Sequence, residues 1–117
     1  MHTITDEYMQ EMLKTTQPYT TVILRRTPKR DEPGADEIVW EHGRRNFELR
    51  RDGLLSIVCQ LVRDDSDIAG ICIFSTDAEK TKRVMDEDPA IKAGIFLYET
   101  HNIYSFPGDA LPLTGPR

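Results

Sequence analysis

The sequence predicts an α+β fold in which a four-stranded antiparallel sheet carries two helices on one face. Three observations lead there. Segments rich in β-branched and aromatic residues interleave with helical patterns in the order β-α-β-β-α-β. One of the helical segments separates its charged from its apolar residues sharply. A chain of 117 residues, 38% hydrophobic and 30% charged, has room for one domain with one modest core.

A short helix is expected over residues 6–14, with Tyr8, Met9, Met12 and Leu13 on one side, ended by Gln17-Pro18 because proline disfavours helix in the residue before it. Residues 19–26 (YTTVILRR) read as the first strand, and residues 27–34 as a charged, mobile loop with two prolines. Residues 36–52 form the main helix: Glu41, Arg44, Arg45, Glu48, Arg51 and Asp52 share a polar arc, opposite Ile38, Val39, Trp40, Phe47 and Leu49. Asp52-Gly53 stops it. Residues 54–62 and 68–74 read as two strands of an antiparallel hairpin joined by a short polar connection. Thr76-Asp77-Ala78-Glu79 fits a capping box for a second helix reaching about residue 87 and burying Ala78, Val84 and Met85. Asp88-Pro89 breaks that helix, and residues 95–104 (IFLYETHNIY) form the last strand. This order is the ferredoxin-like split βαβ arrangement. Three segments are therefore expected: an amino-terminal helical extension over 1–18, the folded domain over 19–104, and an irregular tail over 105–117.

The net charge of −5 weighs against a broad nucleic-acid footprint, which needs a basic face, and the local pairs Arg25-Arg26, Arg44-Arg45 and Arg50-Arg51 each have acids nearby. No stretch has the roughly 18 apolar residues of a membrane span, and the first residues lack a secretion-signal pattern. A cytoplasmic location is expected, with Cys59 and Cys72 reduced and apolar inside strands. One sheet face is left uncovered by the chain, and a homodimer that covers it is the expected assembly.

The apolar side of the main helix holds three residues that hydrophobicity does not explain. His42 and Asn46 lie one turn apart, and Arg50 continues their line. Burial of such groups costs free energy unless they are hydrogen-bonded. A histidine there also suits proton transfer near neutral pH. Asp88, placed where a helix C-terminus would prefer a cation, is the second candidate, and a carboxylate close to His42 would fix its tautomer. Each has a plainer reading, as a satisfied core histidine and as loop punctuation before proline. Glu99 and His101 share a face of the last strand, but two groups are too few for a metal site. His2 belongs to a frayed end. Tyr98, Tyr104, Phe96 and Phe106 form an aromatic group that suits core packing as well as a pocket. No phosphate loop, HExxH pattern or nucleophile elbow is present, and no cofactor or metal is expected.

Two segments carry a resemblance. Trp40-Glu41-His42-Gly43-Arg44-Arg45-Asn46-Phe47-Glu48-Leu49-Arg50-Arg51-Asp52-Gly53-Leu54-Leu55 resembles the histidine-bearing helix and strand entry of the YCII-related (YciI-like) family, and Asp88-Pro89-Ala90-Ile91-Lys92-Ala93-Gly94-Ile95-Phe96 resembles its Asp-Pro…Ala-Gly segment. The similarity spans about residues 19–104. It implies a dimeric α/β barrel in which two ferredoxin-like sheets pack face to face. It also implies a His/Asp pair, here His42 and Asp88, for acid–base chemistry on a small molecule, of lyase, dehalogenase or isomerase type. Asn46 and Arg50 would then contact an anionic or hydroxylated substrate. The sequence departs from the family where Gly-Pro often follows the second strand, having Cys59-Gln60-Leu61 instead. A non-catalytic homodimer that binds a small ligand or a protein remains the competing reading.

Overall fold

The computed structural model describes residues 3–62 and 65–114; His2, Arg63 and Asp64 of the hairpin connection, and the end of the tail lie outside this range. Helix α1 spans Asp6–Leu13, β1 Gln17–Arg26, α2 Ala35–Arg51, β2 Leu55–Gln60, β3 Ile68–Phe74, α3 Ala78–Asp86, α4 Pro89–Lys92 and β4 Phe96–Ser105. The four strands form one sheet in the order β2-β3-β1-β4, every neighbouring pair antiparallel. This is the ferredoxin-like topology expected from the order of elements.

Alternation along the strands sorts the two faces. Thr20, Val22 and Leu24 of β1 point to the same side as Gly70, Cys72 and Phe74 of β3, with Leu55 and Phe96 completing the buried layer. Helices α2 and α3 cover this side through Leu49 and Met85, while Ala35 and the fully buried Ala90 close its ends. Gly70 suits this close approach of strands, since a Cβ would lie 3.0 Å from the Cys59 carbonyl oxygen of the adjacent strand and press on it. On the opposite face, Ile23, Ile71 and Ile73 are half-buried and Leu97 is 62% exposed. Arg25 crosses that face, donating to Glu99 at 2.9 Å and to Asp67 at 2.8 Å, and Glu99 in turn pairs with His101 at 2.7 Å.

Several local expectations need correcting. The capping box does not form: Asp77 is the N-cap of α3, accepting from the Lys80 amide at 2.8 Å. Thr76 instead pairs its hydroxyl with that of Thr81, which is fully buried. The segment expected as a mobile loop is tied down through a 3₁₀ turn over Pro28–Asp31. Thr27 donates its hydroxyl to Gly94 O at 2.6 Å and its amide to Ile95 O at 3.0 Å. The wheel of α2 is also rotated from the expected one. Its buried residues are Ala35, His42 and Leu49, whereas Trp40 is 70% and Phe47 66% exposed.

Candidate functional site

Helix α2 delivers His42 to the sheet because Ala35, His42 and Leu49 recur every seven residues, close to two helical turns. The helix ends immediately after this stripe. Gly53, at φ 82°, lets its own amide reach Arg50 O at 3.1 Å and the Leu54 amide reach Leu49 O at 3.0 Å, the Schellman arrangement. The chain then turns directly into β2, which anchors the helix carrying the histidine.

Asp88 is held from two directions. Its amide donates to Met85 O at the end of α3, at 3.0 Å. Its side chain begins α4 as the N-cap, Oδ1 accepting from the Ala90 amide at 2.8 Å, with Pro89 in the first helical position. The sequence suggested a carboxylate at the unfavourable end of a helix; because a new helix starts at once, it stands at a favourable one. The cap consumes one carboxylate oxygen and leaves Oδ2 directed at α2.

His42 Nδ1 lies 2.7 Å from that oxygen, with the histidine 8% and the aspartate 0% exposed. Burial alone pushes the Asp88 carboxyl up. The hydrogen bond and charge of His42, the Ala90 amide and the Arg45 guanidinium outweigh it, so the carboxyl is held below its ordinary value. An ionised carboxylate has no proton to give, so Nδ1 carries the proton of the shared bond. In the neutral imidazole, Nε2 is then the lone-pair atom. The Phe96 ring meets the imidazole edge-on, centroids 5.3 Å apart at 67°, which restricts its rotation.

The other candidates divide. Asn46 Nδ2 is 3.4 Å from His42 Nε2, so the structure brings Asn46 beside the imidazole. Arg50 does not follow the line expected for it: eight residues beyond His42 the helix has turned away. Arg50 is exposed, its guanidinium 5.6 Å from the centre of the Phe47 ring. Arg45, which the wheel assigned to the solvated arc, points inward instead. Its Nη1 is buried without a hydrogen-bond partner, 3.8 Å from Asp88 Oδ2. A cation next to a buried carboxylate could have been anticipated only by knowing that Asp88 faces α2. Elsewhere, Phe96 alone of the aromatic group reaches this centre; Tyr98 bonds Asp86 at 2.6 Å and Tyr104 is 77% exposed. Among the described residues no three His, Cys, Asp or Glu converge as a metal-ligand group.

A cleft of about 1480 Å³ opens beside the pair. Val39, His42 and Asn46 of α2 form one wall, and Val58, Gly70 and Cys72 of the sheet the other. It reaches the sheet edge because α2 leaves β2 partly uncovered, with Val58 38% exposed although it points to the helix side. Burial pushes the Cys72 thiol in this wall up to about 11, so it is an inert wall group. Phe106 and the tail to Leu111 extend the cleft, and Arg50 lies along it.

No protein-family model matches the chain, and no curated protein matches it. Among solved structures it is similar to 5-chloro-2-hydroxyhydroquinone dehydrochlorinase (TftG) from Burkholderia phenoliruptrix AC1100, in complex with 2,5-dihydroxybenzoquinone. The TM-score is 0.46 at 15% identity, over 70% of this chain and 90% of that one. No helix among the described residues is long and apolar enough to cross a membrane. Fold, cleft and the buried imidazole–carboxylate contact are therefore what characterise this chain.

Proposed function

We propose that this chain is a cytoplasmic, homodimeric enzyme that performs acid–base chemistry on a small molecule, of lyase, dehalogenase or isomerase type. His42 is the proton-transferring group and Asp88 its orienting carboxylate. The observation that carries this reading is the 2.7 Å contact between His42 Nδ1 and Asp88 Oδ2 at the wall of an open cleft. The similarity of residues 40–55 and 88–96 to YCII-related proteins supports it. The half-buried isoleucines of the open sheet face support a dimer in which two such faces pack together.

In this mechanism Asp88 keeps the proton on Nδ1, which leaves Nε2 to accept a proton from a substrate carbon or hydroxyl in the cleft. The imidazolium so formed is stabilised by the adjacent carboxylate and returns its proton to the product or leaving group. Asn46 moves from Nε2 to hydrogen-bond the substrate, and Arg50 along the cleft attracts an anionic or hydroxylated molecule. The domain that performs this is the one expected over residues 19–104, whose first and last strands in the structure reach Gln17 and Ser105.

A second reading has its own observation. The Asn46 amide stands 3.4 Å from Nε2, at the atom the substrate would need, which suits a rigid ligand-binding or protein-binding module. The two separate in one experiment. The protein is screened with pooled metabolites for thermal stabilisation, and each stabilising compound is then followed for turnover. The catalytic reading expects His42→Gln to lose activity on the order of 10²-fold or more while still binding the compound. Stabilisation without turnover, or turnover indifferent to His42→Gln in a folded variant, overturns it.

A further inference from the structure

We infer that Arg45 is a positioning residue that keeps His42 an uncharged base, by acting as the counter-charge of Asp88. The inference rests on His42 as the proton-accepting group and adds what holds it ready at neutral pH. His42 and Arg45 are three residues apart on α2, so they project from neighbouring positions on one side of the helix. His42 Nδ1 takes the short contact with Asp88 Oδ2, at 2.7 Å, and Arg45 Nη1 stands 3.8 Å from the same atom. That distance is too long for a hydrogen bond, and Nη1 has no other partner although it is buried. Arg45 therefore offsets the charge of the carboxylate without drawing its oxygen off the imidazole.

The sum of charges decides the state of the imidazole. Asp88 and the permanently charged Arg45 cancel, so with a neutral His42 the set has no net charge. An imidazolium would leave one net positive charge where the histidine is 8% and the aspartate 0% exposed, and an uncompensated buried charge is costly. Without Arg45 the order reverses, because a lone buried carboxylate beside an imidazole is best paired by an imidazolium. The other described neighbours do not alter this sum. Asn46 on α2 and the Phe96 ring from the sheet are uncharged. The Cys72 thiol, pushed up to about 11 by burial, is neutral as well. Glu87, after α3, lies within the field of Arg45 but is exposed and pairs with Lys92 at 2.9 Å.

A neutral imidazole is what proton abstraction needs. The Nε2 lone pair forms an N–H bond as a C–H or O–H bond of the substrate breaks, and the electron pair stays on the substrate as an enolate or alkoxide. The transfer leaves one net positive charge on the His42–Asp88–Arg45 set, opposite in sign to that anion. The arrangement therefore favours substrates that give up a proton from an uncharged group. The described residues lining the cleft include His42 but not Arg45, so Arg45 acts through Asp88 and not by touching a substrate.

Long-range 1H–15N correlation spectra at pH 7 distinguish an imidazolium from each neutral tautomer, and His42→Gln assigns the signal among the three histidines. In the parent protein His42 is expected to be neutral with its proton on Nδ1. Arg45→Met keeps an apolar stem without the charge and should raise the ratio of imidazolium to neutral imidazole about tenfold or more. Arg45→Lys returns a cation and should restore most of the parent ratio. An imidazolium in the parent protein at pH 7 overturns the proposal without any variant having to fold. So does a folded Arg45→Met protein in which His42 stays neutral in either tautomer. For any compound that is turned over, the rise of kcat/KM with pH should move up by about one pH unit in Arg45→Met; an unmoved profile also overturns it. The catalytic reading fails separately: ring nitrogens that respond to Arg45, with no compound turned over, sink catalysis and leave the role of Arg45 standing.

Discussion

Arg45 Nη1 lies 3.8 Å from Asp88 Oδ2, the same oxygen that His42 Nδ1 approaches to 2.7 Å. Two nitrogen groups from adjacent turns of α2 thus converge on one carboxylate that α3 and α4 hold in place. Asp88 is consequently the joint between the two helical layers as well as a partner of the candidate base.

Replacing it removes that joint. Asp88→Ala leaves the His42 Nδ1 proton and the Ala90 amide without their acceptor and the Arg45 guanidinium without its counter-charge, and a loss of about 3–5 kcal/mol is expected. Asp88→Asn keeps an oxygen for the Ala90 amide and should lose less. Urea unfolding midpoints at neutral pH measure both; equal stability of Asp88→Ala and the parent protein would contradict the arrangement.

The same carboxylate sets a pH dependence. Its pKa is depressed in the folded protein, so below the ordinary carboxylate value the unfolded chain binds the proton more readily. The stabilisation is present above about pH 4, the unfolded value, and is lost as pH falls through the folded value. An acid titration of folding should show this limb in the parent protein and a flatter limb in Asp88→Asn.

The two arginines on α2 should respond differently. Arg45 helps hold Asp88 ionised, so Arg45→Met should move the acid limb to higher pH. Arg50 is exposed and meets only Phe47 among the contacts described above. Arg50→Met should leave both the limb and the overall stability unchanged within about 0.5 kcal/mol. A matching acid shift in the two variants would sink the distinction.

The two cysteines provide a test of the core. Cys59 is exposed, whereas Cys72 is buried with its thiol pushed up to about 11. A thiol reagent at pH 8 should modify one cysteine per chain in the native protein and two after denaturation. Rapid native modification of Cys72, located by peptide mass, is the contrary result.

Much of the architecture was legible without coordinates because strand and helix periods are local properties. Residues 68–74 form a strand at the expected bounds, and α2 differs from its expected bounds by one residue at each end. The order β-α-β-β-α-β then admits few arrangements, and the ferredoxin-like sheet is among them. The oddity of His42 was local as well: a histidine on the side of the helix that holds Ile38, Val39 and Leu49 stands out on a wheel.

What was not legible depends on rotation and on contacts across the chain. A wheel gives relative angles but not which arc meets the sheet, so Arg45 and Arg50 exchanged roles while Trp40 and Phe47 emerged into solvent. The capping residue of α3 moved from Thr76 to Asp77 because the buried Thr81 hydroxyl competes for Thr76. The 2.7 Å separation between positions 42 and 88 follows from α4 starting at Pro89, which spends one Asp88 oxygen on its cap and turns the other toward α2. Sequence by itself singled out His42 and Asp88 as residues that hydrophobicity does not explain, because composition and periodicity are written along the chain. Tertiary structure alone decided which of them meet, because packing sets helix rotation and a distance across 46 residues of chain has no local cause.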